Sequence, residues 1–531
     1  MIINSNELRT LLKGTHDFKI PEALPQEVPY GFTVTSLARD PREVLVKITE
    51  TPEGEVQLFQ TMVNYKDSLP MWQKLAAYTW LYFLKHQDYP LYGRPFVRMM
   101  HTMFDKILPL VPDNYTTESR TPWGGTRISQ VMKGLSASAG SIIGEAWVIS
   151  GHKNFSNKVL IVYEGYLLQV PLWFFGKLNT KAMFGFEIDN DGYNGEPPIT
   201  TKLLNSGSWL DLKKKLHKVL QGINSNDAAD TLRELLAVDD LTAILDHNYH
   251  KLHQHLTLIE KNLARQTGME HLAEAVENIH EEMLAKNLSI QVHPTTQYCV
   301  DHPQKNQLPK AEAWFILEAE NGAGFYLGLK EGVTKETMQE MIENGEDITD
   351  LLNFIEAKPG DCFFVPAGTV HALSAGLLLV EPQATSDTTF RYYDYNRRDI
   401  TGNKRGLHVW DALGVTNWQA PRGSALIEAS LRRIPKKFIG GENGMALYEK
   451  IVKEPEFSFD KITFAKGDSF GIQKIKGIHG LVVTKGCVTV EDQQGNQYGE
   501  FLPGQSFVVP HQITHYRLLS TEASEVFVTR Y

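Results

Sequence analysis

One pattern occurs twice in this chain. Pro359-Gly360-Asp361-Cys362-Phe363-Phe364-Val365-Pro366 leads to His371, and Pro503-Gly504-Gln505-Ser506-Phe507-Val508-Val509-Pro510 leads to His515, with no gap between the two alignments. A Pro-Gly turn, a short apolar strand, a second proline and a histidine rarely recur in one register by chance, so the sequence holds two copies of one β-unit. Around both copies, residues 287–400 and 455–531 show β-rich runs broken at short intervals by Gly, Pro and Asn, the pattern of a sandwich or barrel of short strands.

The repeated unit resembles the second sequence motif of the cupin superfamily, small jelly-roll barrels of antiparallel strands. The fold expected is therefore mainly β with helical additions: two cupin-like barrels, a helical insert and an N-terminal α+β extension. Residues 206–286 carry the insert, because Leu245, Tyr249, Leu252, Leu256, Ile259 and Leu263 recur at steps of four and three. Its histidines, His247, His250, His253 and His255, drift around such a helix without a spaced carboxylate, so they read as a solvated face. Residues 1–115 form the extension, with helices expected over 71–85 and 95–108 whose aromatic side serves packing. The domain plan is then 1–115, a catalytic barrel from 116–205 plus 287–440, the insert 206–286, and a second barrel over 441–531.

Composition limits the partners. Lys plus Arg total 53 against 63 Asp plus Glu, a net charge of -10, and no long basic run offers a track for nucleic acid. Cys299, Cys362 and Cys487 include no CxxC pair and read as small buried residues in a reducing compartment. The first residues lack the basic start and apolar run of a secretory signal, and no apolar stretch approaches the roughly 20 residues that span a bilayer. A cytoplasmic protein without membrane or nucleic-acid partners is expected, with a homo-oligomer left open.

Strand alternation gathers a candidate site. In Ser289-Ile-Gln-Val-His293, Gln291 and His293 share one face and Ser289 begins the same row; in Lys310-Ala-Glu-Ala-Trp314, Lys310 and Glu312 do likewise. With His371 the set is two imidazoles, one carboxylate and one amide oxygen, which suits zinc or another divalent first-row metal and leaves a position open. Taken singly, His293 also fits a turn cap, Glu312 a surface charge and His371 a core histidine. The second copy keeps His515 and has His479 but lacks the Gln-x-His and Lys-x-Glu pairs, so it is expected to hold no metal.

Four ordered segments then carry a family resemblance: Ser289–Pro294, Lys310–Trp314, Val365–His371 and Asp387-Thr-Thr-Phe-Arg-Tyr-Tyr-Asp394. Their order is similar to that in type I mannose-6-phosphate isomerases, above all the short bacterial form. Trp123-Gly124-Gly125, Ile143–Ser150 and Gly406-Leu-His408 are similar to further segments of that family, and the likeness runs from about 116 to 531 around the insert. The resemblance implies one zinc ion per chain, in the first barrel only, on Gln291, His293, Glu312 and His371. It also implies Arg391 as an active-site arginine, Ser289 and Lys310 as lining of a sugar-phosphate pocket, and Glu381 as a further acidic site residue. Ala311, Ala313 and Pro382 depart from the residues common in the family and touch the pocket wall.

The activity implied is interconversion of mannose 6-phosphate and fructose 6-phosphate, which moves a proton between C1 and C2 through a cis-enediol. Glu381 is the first candidate for the base, with a metal-bound water or Lys310 as rivals. Arg391 suits the phosphate through its planar fork, unless Asp387 or Asp394 neutralises it. Two other readings stay open on the residues alone: a ferrous oxygenase, which also uses two histidines and a carboxylate, and a non-enzymatic sugar-phosphate sensor.

Overall fold

The computed structural model describes the strands 32–36, 46–50 and 56–60, most of 106–172, residues 200–210, scattered helical positions between 212 and 263, and 270–530 apart from short gaps. The helix expected over 71–85 and the four histidines of the insert lie outside the described residues. So does that expected over 95–108 except for its last three residues, where Leu108 instead opens a short strand.

Two antiparallel sheets face each other in the first barrel. One runs in the order Leu352–Glu356, Gly324–Leu329, His371–Leu373, Ile290–Val292, Phe390–Tyr393; the other in the order Cys362–Val365, Glu312–Ala319, Leu377–Gln383, Thr200–Asn205, Ile143–Ser150, Tyr115–Thr117. Their inward side chains make one core, in which Trp314, Ile316 and Leu379 of the six-stranded sheet meet Phe325, Leu327 and Leu373 of the five-stranded one. Trp314 and Phe325 touch edge to face at 5.2 Å, a favoured aromatic geometry. A second barrel pairs a seven-stranded sheet with a four-stranded one, Ser469–Gln473, His515–Ser520, Val488–Asp492 and Gln497–Phe501, around its own apolar core. The architecture is mainly β with helical additions, as expected.

The repeated motif builds the same local structure twice. Cys362–Val365 and Ser506–Val509 are fully buried strands, each entered through a glycine at positive φ, +93° at Gly360 and +90° at Gly504. Such a conformation is open to glycine and costly for other L residues. The two histidines then part company: His371 is buried and His515 is exposed.

Chain segments mix more than the domain plan has it. The pairing crosses the expected boundary at 115, because Phe32–Ser36 lies antiparallel to Tyr166–Pro171 and Leu108–Pro109 adds an edge to Ser506–Val509 in the second barrel. In the insert, the helix Glu270–Leu284 buries Val276, Ile279 and Met283, spaced by three and four. These side chains, with Leu256, Ile259 and Leu263, enter the same core as Trp314.

The second barrel backs the first. Alternation along Glu312–Ala319 sends Glu312 and Trp314 inward and Phe315 outward, where its ring meets Phe527 at 4.8 Å. Thr201 and Thr529 hydroxyls bond at 2.8 Å in the same interface. No helix among the described residues is long and apolar enough to cross a membrane.

The two motif glycines differ in what surrounds them, which gives a test. A Cβ at Gly360 meets nothing within 4 Å, whereas one at Gly504 meets Leu135 Cγ at 2.8 Å and Met132 Cβ at 2.9 Å. Gly360→Ala is expected to cost the left-handed backbone term alone, about 1–2 kcal/mol. Gly504→Ala adds overpacking of about 1–3 kcal/mol more. Urea unfolding of the two variants reads the difference, and equal midpoints would contradict this account of the second turn.

Candidate metal centre

Three chain segments deliver the cluster. The strand Ile290–Val292 lies between His371–Leu373 and Phe390–Tyr393, with Gln291 opposite both His371 and Arg391. His293 follows that strand directly, and its carbonyl accepts from Gly368 N at 2.8 Å, which ties it to the turn before His371. Glu312 is the first residue of its strand, so Lys310 precedes the strand instead of sharing it; Lys310 N reaches Pro294 O at 3.2 Å.

His293, Glu312 and His371 are 2% exposed each, and one potential ligand atom from each lies within 4.8 Å of the others. His293 Nε2 is 3.2 Å from Glu312 Oε1, and His371 Nε2 is 3.5 Å from Glu312 Oε2. Each imidazole is oriented from behind by a backbone carbonyl. Nδ1–H of His293 donates to Thr388 O and that of His371 to Thr369 O, both at 2.9 Å, which turns each Nε2 lone pair toward the cluster. Gln291 Nε2 donates to His371 Nε2 at 3.3 Å; turning the amide over places its oxygen there instead. His293 Nε2 itself makes no hydrogen bond. This donor set, with oriented and uncommitted lone pairs, fits a divalent metal such as zinc.

Electrostatics agree with that fit. Burial, then the Lys310 charge, lowers the His293 pKa, and burial lowers that of His371 to about 4, so both rings stay neutral as ligands must. Burial alone would raise Glu312, but the Lys310 ammonium at 2.8 Å holds its carboxyl well below the usual range.

Further along the inner face, the register writes two polar rows. Glu312, Gln383 and Thr200 stand opposite one another on three neighbouring strands, and Glu381, Lys202 and Trp147 form the adjacent row. Glu381 is 2% exposed; burial, then the Glu312 charge, pushes its pKa up to about 8 against the pull of Lys202 and Lys310. Lys202 Nζ sits 3.3 Å from Glu381, 3.8 Å from Glu145 and 5.1 Å above the Trp147 ring. Burial opposes the Lys202 charge, yet Glu145, Glu381 and Glu312 outweigh it and raise the ammonium's pKa. His152 packs edge-on to Trp147 at 5.4 Å, and burial with the Lys310 and Lys202 charges lowers it to about 3.

Among the described residues, Arg391 is held mainly by neutral partners. Its Nε donates to Ser289 Oγ at 3.1 Å and a terminal nitrogen to Gly406 O at 3.0 Å. Asp394, a suspected partner, lies 4.0 Å away and is engaged by Arg397 and by Arg405 at 3.5 Å. The structure thus brings Gln291, His293 and His371 together with Glu312, Lys310 and Glu381 across the barrel interior, with Ser289 and Arg391 beside Gln291.

Sequence reasoning missed Lys202, Glu145, Trp147 and Gln383. Gln383 was within reach of the i, i+2 logic that paired Gln291 with His293, because it stands two residues beyond Glu381. Lys202 was not, since its face is set by pairing with a strand about 180 residues later.

Removing one imidazole of the cluster should empty it without unfolding the barrel. His293→Ala and His371→Ala are expected to lose bound divalent metal, at least ~10-fold in affinity, measured by metal analysis of dialysed protein with circular dichroism as the folding control. Full metal retention in both variants would remove this site from consideration.

No family model matches the chain. Among curated proteins, it is 39% identical over 145 residues to the mannose-6-phosphate isomerase of Streptococcus mutans, which is 27% of this chain and 45% of that protein. It is 43% identical over 130 residues to mannose-6-phosphate isomerase ManA of Bacillus subtilis, 24% of this chain and 40% of the relative. The chain thus spans less than half the length of the curated relatives it matches. Among solved structures, the mannose 6-phosphate isomerase from Bacillus subtilis superposes with a TM-score of 0.54 at 20% identity, covering 80% of this chain and 99% of that one. In sequence over a quarter of its length, and in fold over most of it, the chain is similar to mannose-6-phosphate isomerases.

Proposed function

We propose that this chain is a zinc-dependent aldose–ketose isomerase that interconverts mannose 6-phosphate and fructose 6-phosphate by proton transfer between C1 and C2 through a cis-enediol. The observation that carries the reading is the juxtaposition of a buried two-histidine, one-carboxylate cluster with a carboxyl whose pKa lies near 8 and an arginine whose carboxylate neighbour Asp394, 4.0 Å away, is shared with two other arginines. The names of the similar proteins point the same way. An anion-binding arginine beside the cluster favours this reading over an oxygenase, and a tuned base favours it over a binding-only sensor.

When bound, zinc on Gln291, His293, Glu312 and His371 supplies Lewis-acid charge to the sugar oxygens as negative charge develops. The remaining work falls to the chain itself. Glu381 is the base: its carboxylate takes the proton from one carbon and returns it to the neighbour, a task suited to a pKa near the working pH. Lys202 holds Glu381 in place at 3.3 Å, and Trp147 and Glu145 hold Lys202. Arg391, steadied by Ser289, presents its fork to the phosphate, and Lys310 adds a point charge beside Glu312. Glu381, Lys202, Lys310, Ser289 and Trp147 are each more than nine-tenths buried, which limits the water that surrounds the base. One zinc per chain, in the first barrel, and a cytoplasmic setting complete the proposal.

Two outcomes test it. Glu381→Gln should keep its metal and lower kcat by ~10²–10⁴-fold, followed in an assay coupled to fructose 6-phosphate; activity close to wild type would reassign the base. A carboxyl raised to about 8 is protonated below that pH and ionised above it, so the rate limb that reports Glu381 rises with pH. The bound cation's charge displaces that limb to lower pH, and the limb should vanish from the residual activity of Glu381→Gln. A flat wild-type profile between pH 5 and 9, where a carboxylate base would titrate, would count against this carboxyl as the base.

A further inference from the structure

Gln383 has no assigned task in the scheme above, yet its placement is unusual. It is 1% exposed, and neither its amide nitrogen nor its amide oxygen has a hydrogen-bond partner among the described residues. A buried amide with both ends unmet is rare, because such groups ordinarily find protein or water partners on folding. The register leaves no doubt about the face it occupies. Gln383 stands directly opposite Glu312 on one side and Thr200 on the other, two residues beyond Glu381 on the same strand, so it points into the barrel between the metal cluster and the base. Its hydroxyl neighbours do not satisfy it: Thr200 Oγ1 lies 3.5 Å from Thr385 Oγ1.

We infer that Gln383 is a substrate-binding residue whose unmet amide reads a hydroxyl of the sugar next to the reacting carbons. A carboxamide carries a donor and an acceptor side by side, and a secondary hydroxyl offers the complementary acceptor and donor. A buried polar side chain that the protein leaves unpaired discriminates strongly, since a ligand lacking the matching hydroxyl leaves it unpaired in the complex as well. The ligand class is a polyhydroxylated sugar phosphate. The inference rests on the isomerase reading for the choice of reaction, but the binding role does not require turnover.

The test uses the full chain and the near-isosteric variant Gln383→Leu, with Gln383→Asn as the conservative control. If Gln383 serves ligand binding, the leucine variant removes an unsatisfied amide, so the metal-free protein should melt no lower than wild type and its zinc content should be unchanged. Its kcat/KM for mannose 6-phosphate should fall by ~10- to 1,000-fold, with partial recovery in the asparagine variant. A structural filler gives the opposite result, a lower melting temperature with kcat/KM unchanged, and that outcome overturns the inference, as does unchanged kcat/KM at any melting temperature. Should wild type bind mannose 6-phosphate in calorimetry without turning it over, the isomerase reading fails alone, and Gln383 is judged by whether the leucine variant weakens that binding by the same factor. Absence of both binding and turnover in wild type overturns the two together.

Discussion

A carboxylate at 2% exposure cannot remain ionised unless positive charge or strong donors stand close by, and Glu312 is such a carboxylate. Lys310 meets it from the preceding loop, and two imidazoles face it across the barrel. The arrangement then propagates. Glu312, Glu381 and Glu145 bring three acidic groups to one interior, opposed among the described residues by Lys202 and Lys310, since the two histidines are kept neutral. Burial, with the Glu312 charge adding to it, raises Glu381 until it holds a proton near neutrality. A divalent cation would reverse the balance, which would couple occupancy of the cluster to the protonation of Glu381.

The second barrel shows how little of this chemistry belongs to the fold. Both copies of the motif make the same glycine turn and the same buried strand. In the first, His371 points into the barrel beside Gln291 and Glu312; in the second, His515 opens onto solvent and contacts Thr514. His479 is buried there, but its ring nitrogen bonds the Tyr516 hydroxyl at 2.8 Å. The barrel supplies a scaffold, and function lies in what a few inward positions carry.

The sequence made the barrels and the core of the site legible because both rest on short-range rules. A repeated turn and strand announced the β-units, and alternation within Ser289–His293 put Gln291 and His293 on one row, as the structure has them. Lys310 and Glu312 meet for a different reason: Lys310 lies outside the strand, and its long side chain reaches back to the carboxylate. The contributions of Lys202, Glu145 and Trp147 were illegible because their inward direction follows from which strands lie side by side, and that is settled by pairing across long separations. The same limit explains the boundary at 115, where Leu108–Pro109 joins a strand near the opposite end of the chain.

The pairing of Thr200–Asn205 with Leu377–Gln383 also governs when the interior can come into being. During translation Lys202 emerges long before its partner strand, and the helical insert and both histidines are made in between. Contacts of such sequence separation close slowly, since the intervening chain must lose its freedom before any pairing compensates. The polar rows therefore assemble late, after most of the polypeptide has left the ribosome, and an unfinished chain exposes a lysine and an apolar strand edge with nothing yet to cover them.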